Sequence, residues 1–355
     1  MIKYLGLILL LSLSSCQMSK KKLRKLKAST VIENPYDIKS LPQDSNPTLG
    51  DEKPKFDSNT KFHNSGPTVV DSKDPEAVPV PSNAEINPTL NKGLAPAIVK
   101  AQIQKEAVIK KIEAEKDVLA QKYPFKVGEK IEYAVNYFAL EAGRFTFEVK
   151  PIKQIQNRPV FHFYVSAKTS SLFAWVYTLK DFAESFWDMK TQRPYLMKIY
   201  GQESRYIREV QTAFDWTKKE ARYQAKIVEV GKGLDEEDKI WTLKHMDAQD
   251  VVSALYFLRT KKLEVGKTFE FRVAERGKDI LVKALVLEEV ELSTKIGKFM
   301  TYVVKPTFSV DGAWKQKGEI KLWLTKDEFK VPIQFEAKIK VGTIRGRLHS
   351  LTKGL

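Results

Sequence analysis

A single thiol is the first group in this chain with chemistry to offer. Cys16 closes the string Leu13-Ser14-Ser15-Cys16, directly after the apolar run from Tyr4 to Leu13. A thiolate is a nucleophile for acyl transfer, and the small residues before it leave a backbone that a peptidase can reach. No second cysteine exists, so an internal disulfide is excluded. The four histidines, His63, His162, His245 and His349, form no H-x-x-x-H or H-E-x-x-H pair, so neither a metal nor a cofactor is expected. The chain also lacks a G-x-S-x-G elbow and a phosphate loop. Glu288, Glu289 and Glu291 cluster, but neighbouring acids on one strand make a solvated face more often than a glycosidase pair. No catalytic constellation stands out, and the expectation is a protein that is not an enzyme.

Two further groups of residues have chemistry in their type and spacing. Asp250 and Arg259 stand nine positions apart at opposite ends of one helix-patterned segment. Such a pair complements the helix ends, and Arg259 can also meet a sheet carboxylate or an anionic ligand. The second group is the aromatic stretch holding Phe173, Trp175, Tyr177, Phe182, Phe186 and Trp187. Core packing of two strands accounts for it. If Phe173, Trp175, Tyr177, Phe186 and Trp187 instead line one rim, they form a membrane-contacting or glycan-stacking patch.

The elements that hold these groups begin with a targeting segment. Lys3, the short apolar run and Cys16 together resemble a bacterial lipoprotein signal, in which residues 1–15 are cleaved and Cys16 carries the lipid. Acyl chains then attach the protein to a membrane. Gln17 follows, in place of the aspartate that retains enteric lipoproteins at the inner membrane, which favours an outer-membrane anchor with the domain in the periplasm. Residues 16–96 read as a disordered tether, opening with Lys20, Lys21, Lys22, Arg24, Lys25 and Lys27 and interrupted by ten prolines. The basic cluster can add a second membrane signal. Net charge is +16, of which residues 122–355, with 42 basic and 30 acidic side chains, supply +12. A surface this basic suits anionic headgroups, acidic polysaccharide or nucleic acid, and the envelope location argues against the last.

Residues 97–121 contain strong helix formers without Gly or Pro, and Ala101, Val108, Ile112 and Leu119 mark a modest apolar stripe. An amphipathic helix should end at Tyr123-Pro124. From residue 122 to 355 the period falls to 2. Ile131, Tyr133, Val135 and Tyr137 alternate with polar residues, Glu141-Ala142-Gly143 reads as a turn, and Phe145, Phe147 and Val149 follow. Further alternating runs occupy 205–216, 219–230, 267–275, 279–292, 298–310, 314–325, 332–341 and 343–351. Some dozen strands with short links predict a mainly β fold. The sheet should be large, antiparallel and strongly curved, a half-barrel or closed barrel. One helix of about four turns, Asp247–Arg259, should lie inside the curl.

In order and spacing these landmarks resemble the exported Gram-negative family known as domain of unknown function 3108. The likeness rests on Gly128-Glu129, Ala142-Gly143 and Phe214-Asp215, then on Asp250, Ser253, Leu255, Tyr256, Leu258 and Arg259 with Gly266 after them. Leu322-Trp323-Leu324, Asp327 and Pro332 complete it. The resemblance implies a β-rich exported domain and brings no reaction with it. The expected function is therefore a non-enzymatic, lipid-anchored envelope lipoprotein that binds an apolar or amphiphilic ligand, envelope glycan or another envelope protein. The alternatives are an envelope hydrolase with an acidic pair drawn from Asp188, Asp215 and Asp250, and a binder of anionic polymer.

Overall fold

The computed structural model describes residues 32–41, 96–137, 140–175, 177–204, 206–229, 232–310, 313–314, 319–338 and 342–354. Cys16, the signal segment and most of the 16–96 tether lie outside them. Residues 32–41 and 111–355 belong to one compact unit, and residues 96–110 to a second.

Helix α1 (Pro96–Ala120) opens the well-patterned part of the chain. Its stripe divides: Ile112 is buried in the main core and Leu119 packs against that core, whereas Val108 is exposed. Lys126 Nζ donates to the Ala120 carbonyl at 2.9 Å, satisfying one of the free acceptors at the helix end.

The described residues form sixteen strands. They are β1 (Lys39–Ser40), β2 (Lys130–Tyr137), β3 (Leu140–Ile155), β4 (Arg158–Thr169), β5 (Leu179–Asp188), β6 (Pro194–Glu203), β7 (Tyr206–Asp215) and β8 (Glu220–Glu229). Then come β9 (Gly233–Thr242), β10 (Thr268–Glu275), β11 (Lys278–Thr294), β12 (Gly297–Val310), β13 (Ala313–Trp314), β14 (Glu319–Thr325), β15 (Pro332–Lys338) and β16 (Thr343–Thr352). Two short helices interrupt them, α2 (Ser171–Ala174) and α3 (Ser253–Arg259). The strands form one antiparallel sheet in the order β10-β11-β12-β14-β15-β16-β2-β3-β4-β5-β6-β7-β8-β9.

The sheet curls without closing, so β9 and β10 remain its edges. Each is blocked from pairing with the other. The β10 edge is taken by Gln249, whose N–H donates to the Arg272 carbonyl at 2.8 Å and whose carbonyl accepts from Ala274 N–H at 2.9 Å. The β9 edge carries Asp235, Glu236, Glu237, Asp238 and Lys239 in succession, a run of charge that resists strand addition. An ion pair between Arg276, just beyond β10, and Glu237 on β9 spans the seam.

The pairing of Gln249 also shortens the expected internal helix. Instead of four turns from Asp247, α3 has seven residues from Ser253. Backbone spent on the β10 edge is unavailable to a helix, and Asp250 caps the start instead, accepting from the N–H groups of Val252 (2.8 Å) and Ser253 (2.7 Å). Two other expectations change. Gly143 lies within β3, where any Cβ would stand 2.4 Å from the Lys168 carbonyl oxygen, so the glycine serves a close backbone approach inside a strand and not a turn. Strands β6 and β9 lack clean alternation and lie outside the runs the sequence marks.

The inward faces of β2–β8, β10–β12 and β14–β16 meet α3 in one core. Tyr256 from α3 stacks on Phe163 of β4 at 3.6 Å between centroids; Phe125 meets both edge-on, Phe161 stacks on the Phe163 ring and Trp187 lies tilted beside it. A smaller core sits on the outer face, where Ile155, Val160, Phe186, Tyr195 and Leu196 are covered by Tyr36 and Ile38. Residues 32–41, expected within the disordered tether, are thus docked on the sheet. Lys39 and Ser40 pair with Gln154 and Lys153 of β3, Tyr36 donates to the Phe214 carbonyl, and Gln211 Nε2 donates to the Glu33 carbonyl at 3.0 Å. Few large apolar residues suffice here because a preformed aromatic face supplies the other half of the contact.

Candidate functional site

Arg259 ends α3 fully buried, and its guanidinium spans Glu129 with bonds of 2.6 and 2.7 Å to the two carboxylate oxygens. Nη2 also donates to the Phe329 carbonyl at 3.0 Å and the Pro124 carbonyl at 3.2 Å, and Nε to Phe329 at 3.2 Å. The rings of Phe125 and Tyr256 flank the cation at 5.3 and 5.6 Å. The anion that Arg259 requires is therefore Glu129 of the same chain. An anionic ligand at the mouth of the curl has no donor left to meet, and the reading of Arg259 as a ligand contact gives way to a bidentate internal pair.

The three acids considered for hydrolysis are separately committed. Asp188 pairs with Arg158 at 2.7 Å and accepts from the N–H groups of Lys190 and Thr191 at 2.8 Å. Asp215 holds a turn by accepting from Thr217 and Lys218 N–H at 3.1 and 2.9 Å. Asp250 is fully buried, and its second oxygen accepts from Ser185 Oγ at 2.6 Å. Burial pushes its carboxyl up to about 6. Glu275 lies near enough for the two charges to oppose each other. Burial first, then Asp250, pushes Glu275 up to about 7. Both acids are buried, Asp250 completely and Glu275 at the end of β10.

Glu289 and Glu291 form surface pairs with Lys326 and Lys298. His162 lies 2.8 Å from Glu184 and stacks on Phe186, and His245 lies 3.3 Å from Asp279. Among the described residues no three metal-ligating side chains converge.

The aromatic stretch is divided among three environments. Trp187 points inward, fully buried, and its Nε1 donates to Gln249 Oε1 at 2.9 Å. Phe186, its neighbour, points outward and is buried under Tyr36 and Ile38 in the outer core. Neither belongs to a rim, because alternate residues of β5 face opposite sides and both sides are covered. Phe173 and Tyr177 are half-buried. Trp175 alone is fully presented, 83% exposed, with Leu172 beside it at 61% and Leu140 at the start of β3 at 53%.

The loop that presents Trp175 is firmly fastened. At its entry Ser170 N–H donates to the Ala142 carbonyl and Ser170 Oγ to the Glu141 carbonyl, both at 2.9 Å. At its exit Thr178 N–H donates to Ser204 Oγ at 2.7 Å, Ser204 N–H returns to the Thr178 carbonyl at 2.9 Å, and Tyr177 OH donates to Glu203. Glu203 lies 3.5 Å from Arg208, which bonds Asp181 at 2.7 Å. Burial raises the pKa of both acids. Gly201 makes room for this network, since a Cβ there would stand 2.6 Å from Arg208 Nε.

Behind the loop, strand register lines up cations on the outer face. Arg144 pairs with Lys168 across β3 and β4, and Lys168 with Lys180 across β4 and β5. Continuing the same row in the other direction, Arg144 pairs with Ala134 and Ala134 with Arg347. Sequence reasoning found the aromatics of this site and missed the cations, which only the register brings into one line.

Two cavities accompany these groups. One of about 40 Å³, lined by Gly143, Phe145, Leu179 and Phe335, has room for a water molecule or two. A solvent-open cleft of about 950 Å³ beside Tyr36 is lined by opposite charges that already pair, Arg222 with Asp238 and Lys218 with Asp215.

No curated protein matches the chain. Among solved structures, a β-barrel-like protein of domain of unknown function DUF1849 from Brucella abortus is 10% identical, with a TM-score of 0.41, covering 64% of this chain and 98% of that one. A protein described as exported, with a YmcC-like fold, from Bacteroides fragilis is 8% identical, with a TM-score of 0.30, covering 65% and 98%. The family model described as protein of unknown function, DUF3108, matches residues 132–349, which takes in the Trp175 loop, the Asp250–Arg259 segment and strands from β2 into β16. On that match, over more than half of its length, the chain belongs to the DUF3108 family.

Proposed function

We propose that this protein is a non-catalytic, lipid-anchored component of the bacterial cell envelope, attached through Cys16, whose β domain uses the Leu172–Trp175 rim to engage an amphiphilic partner. One observation carries the reading: a tryptophan held almost wholly in solvent by a loop with hydrogen bonds at both ends. A large aromatic side chain in water is unfavourable by itself, and ordering it there has no structural return within the chain. The packing of aromatic and aliphatic side chains around α3 supports contact at a surface over a ligand enclosed by the sheet. The commitment of Asp188, Asp215 and Asp250 to turns and caps supports binding over hydrolysis. Gln17 favours the outer membrane.

Intact-mass measurement tests the anchor. The native chain is expected to begin at an acylated Cys16, and Cys16→Ser to retain residues 1–15 without acyl mass. Equal masses, apart from the substitution itself, would sink the anchor. The rim is tested by purifying the Leu172→Ala/Trp175→Ala variant and identifying bound lipid by extraction and mass spectrometry. Loss of lipid at an unchanged unfolding midpoint is the expected result, and undiminished lipid refutes the rim.

A further inference from the structure

We infer that the rim docks on an anionic lipid bilayer, as a membrane contact separate from the acyl anchor. Trp175 and Leu172 would sit at the boundary between headgroups and acyl chains, with Lys168, Lys180 and Arg144 facing the phosphates. The inference rests on the rim reading above and names its partner.

Charge complementarity argues for the lipid surface. Like charges directly opposite on neighbouring strands repel, yet Arg144, Lys168 and Lys180 occupy three consecutive positions of one register row. Arg144 is offset by Glu141 at 2.8 Å. Among the described residues no carboxylate pairs with Lys168, Lys180 or Arg347, the remaining cation of the row. The chain has thus assembled a cationic line and left most of it without an anion. The Arg259 end of the molecule does the reverse and supplies Glu129.

Layering argues the same way. Lys168 is the penultimate residue of β4 and Lys180 the second residue of β5, so both flank the base of the loop whose tip is Leu172 and Trp175. A strand residue advances about 3.3 Å, which sets the ammonium groups a short way behind the apolar tip. An indole at the interface with lysines reaching headgroups is the arrangement the bilayer boundary rewards. The apolar members of the tip, Leu140, Leu172 and Trp175, come from the start of β3 and from the α2 segment, and all three are exposed. Exposed apolar side chains drawn from two elements suit a broad deformable surface. Because the loop is already tied by Ser170, Tyr177 and Thr178, docking costs little ordering entropy.

The test uses the whole chain, acylated or carrying Cys16→Ser, on phosphatidylcholine vesicles with and without phosphatidylglycerol, some lipids bearing brominated acyl chains. Bromine quenching of tryptophan fluorescence should appear with phosphatidylglycerol and largely vanish in Trp175→Phe, which leaves the other five of the six tryptophans in place. In the Cys16→Ser background, Lys168→Ala/Lys180→Ala should weaken partitioning roughly 25-fold, at about fivefold per charge. Leu172→Ala should weaken it less. The apolar run near the N-terminus is common to every variant and cancels in the comparison.

Quenching that persists in Trp175→Phe, or partitioning indifferent to phosphatidylglycerol and to both lysines, overturns the proposal. So does a soluble acidic polysaccharide that binds through Lys168 and Lys180 while Trp175 stays unquenched on vesicles, which would assign the row to a glycan. Failure of the anchor reads out separately, as an unacylated native mass, and failure of the rim as lipid that still co-purifies with the Leu172→Ala/Trp175→Ala variant. Co-purifying lipid lost from that variant while Trp175 shows no quenching would keep the rim and remove only the bilayer.

Discussion

Two regions of this molecule are built from the same ingredients, arginine or lysine beside aromatic rings, and they end in opposite states. Around Arg259 the rings of Phe125 and Tyr256 close over the cation, and Glu129 supplies the anion at 2.6 Å. Around the 170–178 loop the cations line the outer face and Trp175 stands clear of the protein. The difference lies in where the complement is found. Where the chain provides it, the cluster is a fastening between α3 and the start of β2. Where the chain does not, the cluster is available to something else. Residue type alone therefore says little about function until the partner inventory of each group is complete.

The largest expected effect lies at the closed region. Glu129→Ala leaves a buried guanidinium without its carboxylate and should cost about 3–5 kcal/mol in denaturant unfolding. The Glu129→Leu/Arg259→Met double substitution should cost clearly less than Glu129→Ala. If Glu129→Ala costs under about 1 kcal/mol, Arg259 is not the fastening described and the contrast fails.

Next in size is a comparison within one stretch. Trp187→Ala removes a buried ring that also satisfies Gln249 and should cost about 3–5 kcal/mol, whereas Trp175→Ala should change unfolding by less than about 0.5 kcal/mol. Similar losses at both positions would mean that Trp175 packs against the domain in solution.

A pH effect sharpens the division between buried and exposed charge. The Asp250 and Glu275 carboxyls titrate higher in the folded chain, near 6 and 7, than in the unfolded one, near 4. Between those values the native state holds the protons that the unfolded state has released. Their stabilisation is thus complete below about pH 4 and lost as pH rises through 6 to 7. Glu275→Gln should flatten the fall in stability across that window, by on the order of 2 kcal/mol, in unfolding measured as a function of pH. A profile identical to that of the unaltered chain would show that Glu275 is not shielded as the structure has it.

The smallest effect concerns the docked segment. Tyr36→Phe removes a hydrogen bond to the Phe214 carbonyl and keeps the ring on Tyr195, so a loss of about 1 kcal/mol is expected. Limited proteolysis should cut between residues 32 and 41 faster in that variant. An unchanged rate would leave the segment's hold to the rings alone.

Much of the fold was legible because alternation is a local property. Ile131, Tyr133 and Val135 face inward as their spacing predicts, and so do Phe145, Phe147 and Val149. Phe186 and Trp187 show where this stops. Period 2 assigns neighbours to opposite faces, and it distinguishes buried from exposed only if one face is bare. Here residues 32–41 cover part of the outer face, so both rings are buried. The docked segment itself was hidden by its prolines and polar residues, since its apolar complement belongs to the sheet. Gln249 was equally opaque: its local pattern is helical, and the β10 edge outweighs that preference with two backbone hydrogen bonds.

The order of residues was enough by itself to set the antiparallel β class, the presence of an internal helix ending at Arg259 and the aromatic stretch that contains Trp175, because each depends on neighbours a few positions apart. Tertiary structure decided which aromatic ring meets solvent, that three cations share one row, and that Arg259 finds its anion in Glu129, 130 residues away. Those outcomes depend on register and on distant chain meeting in space, and no local period encodes either.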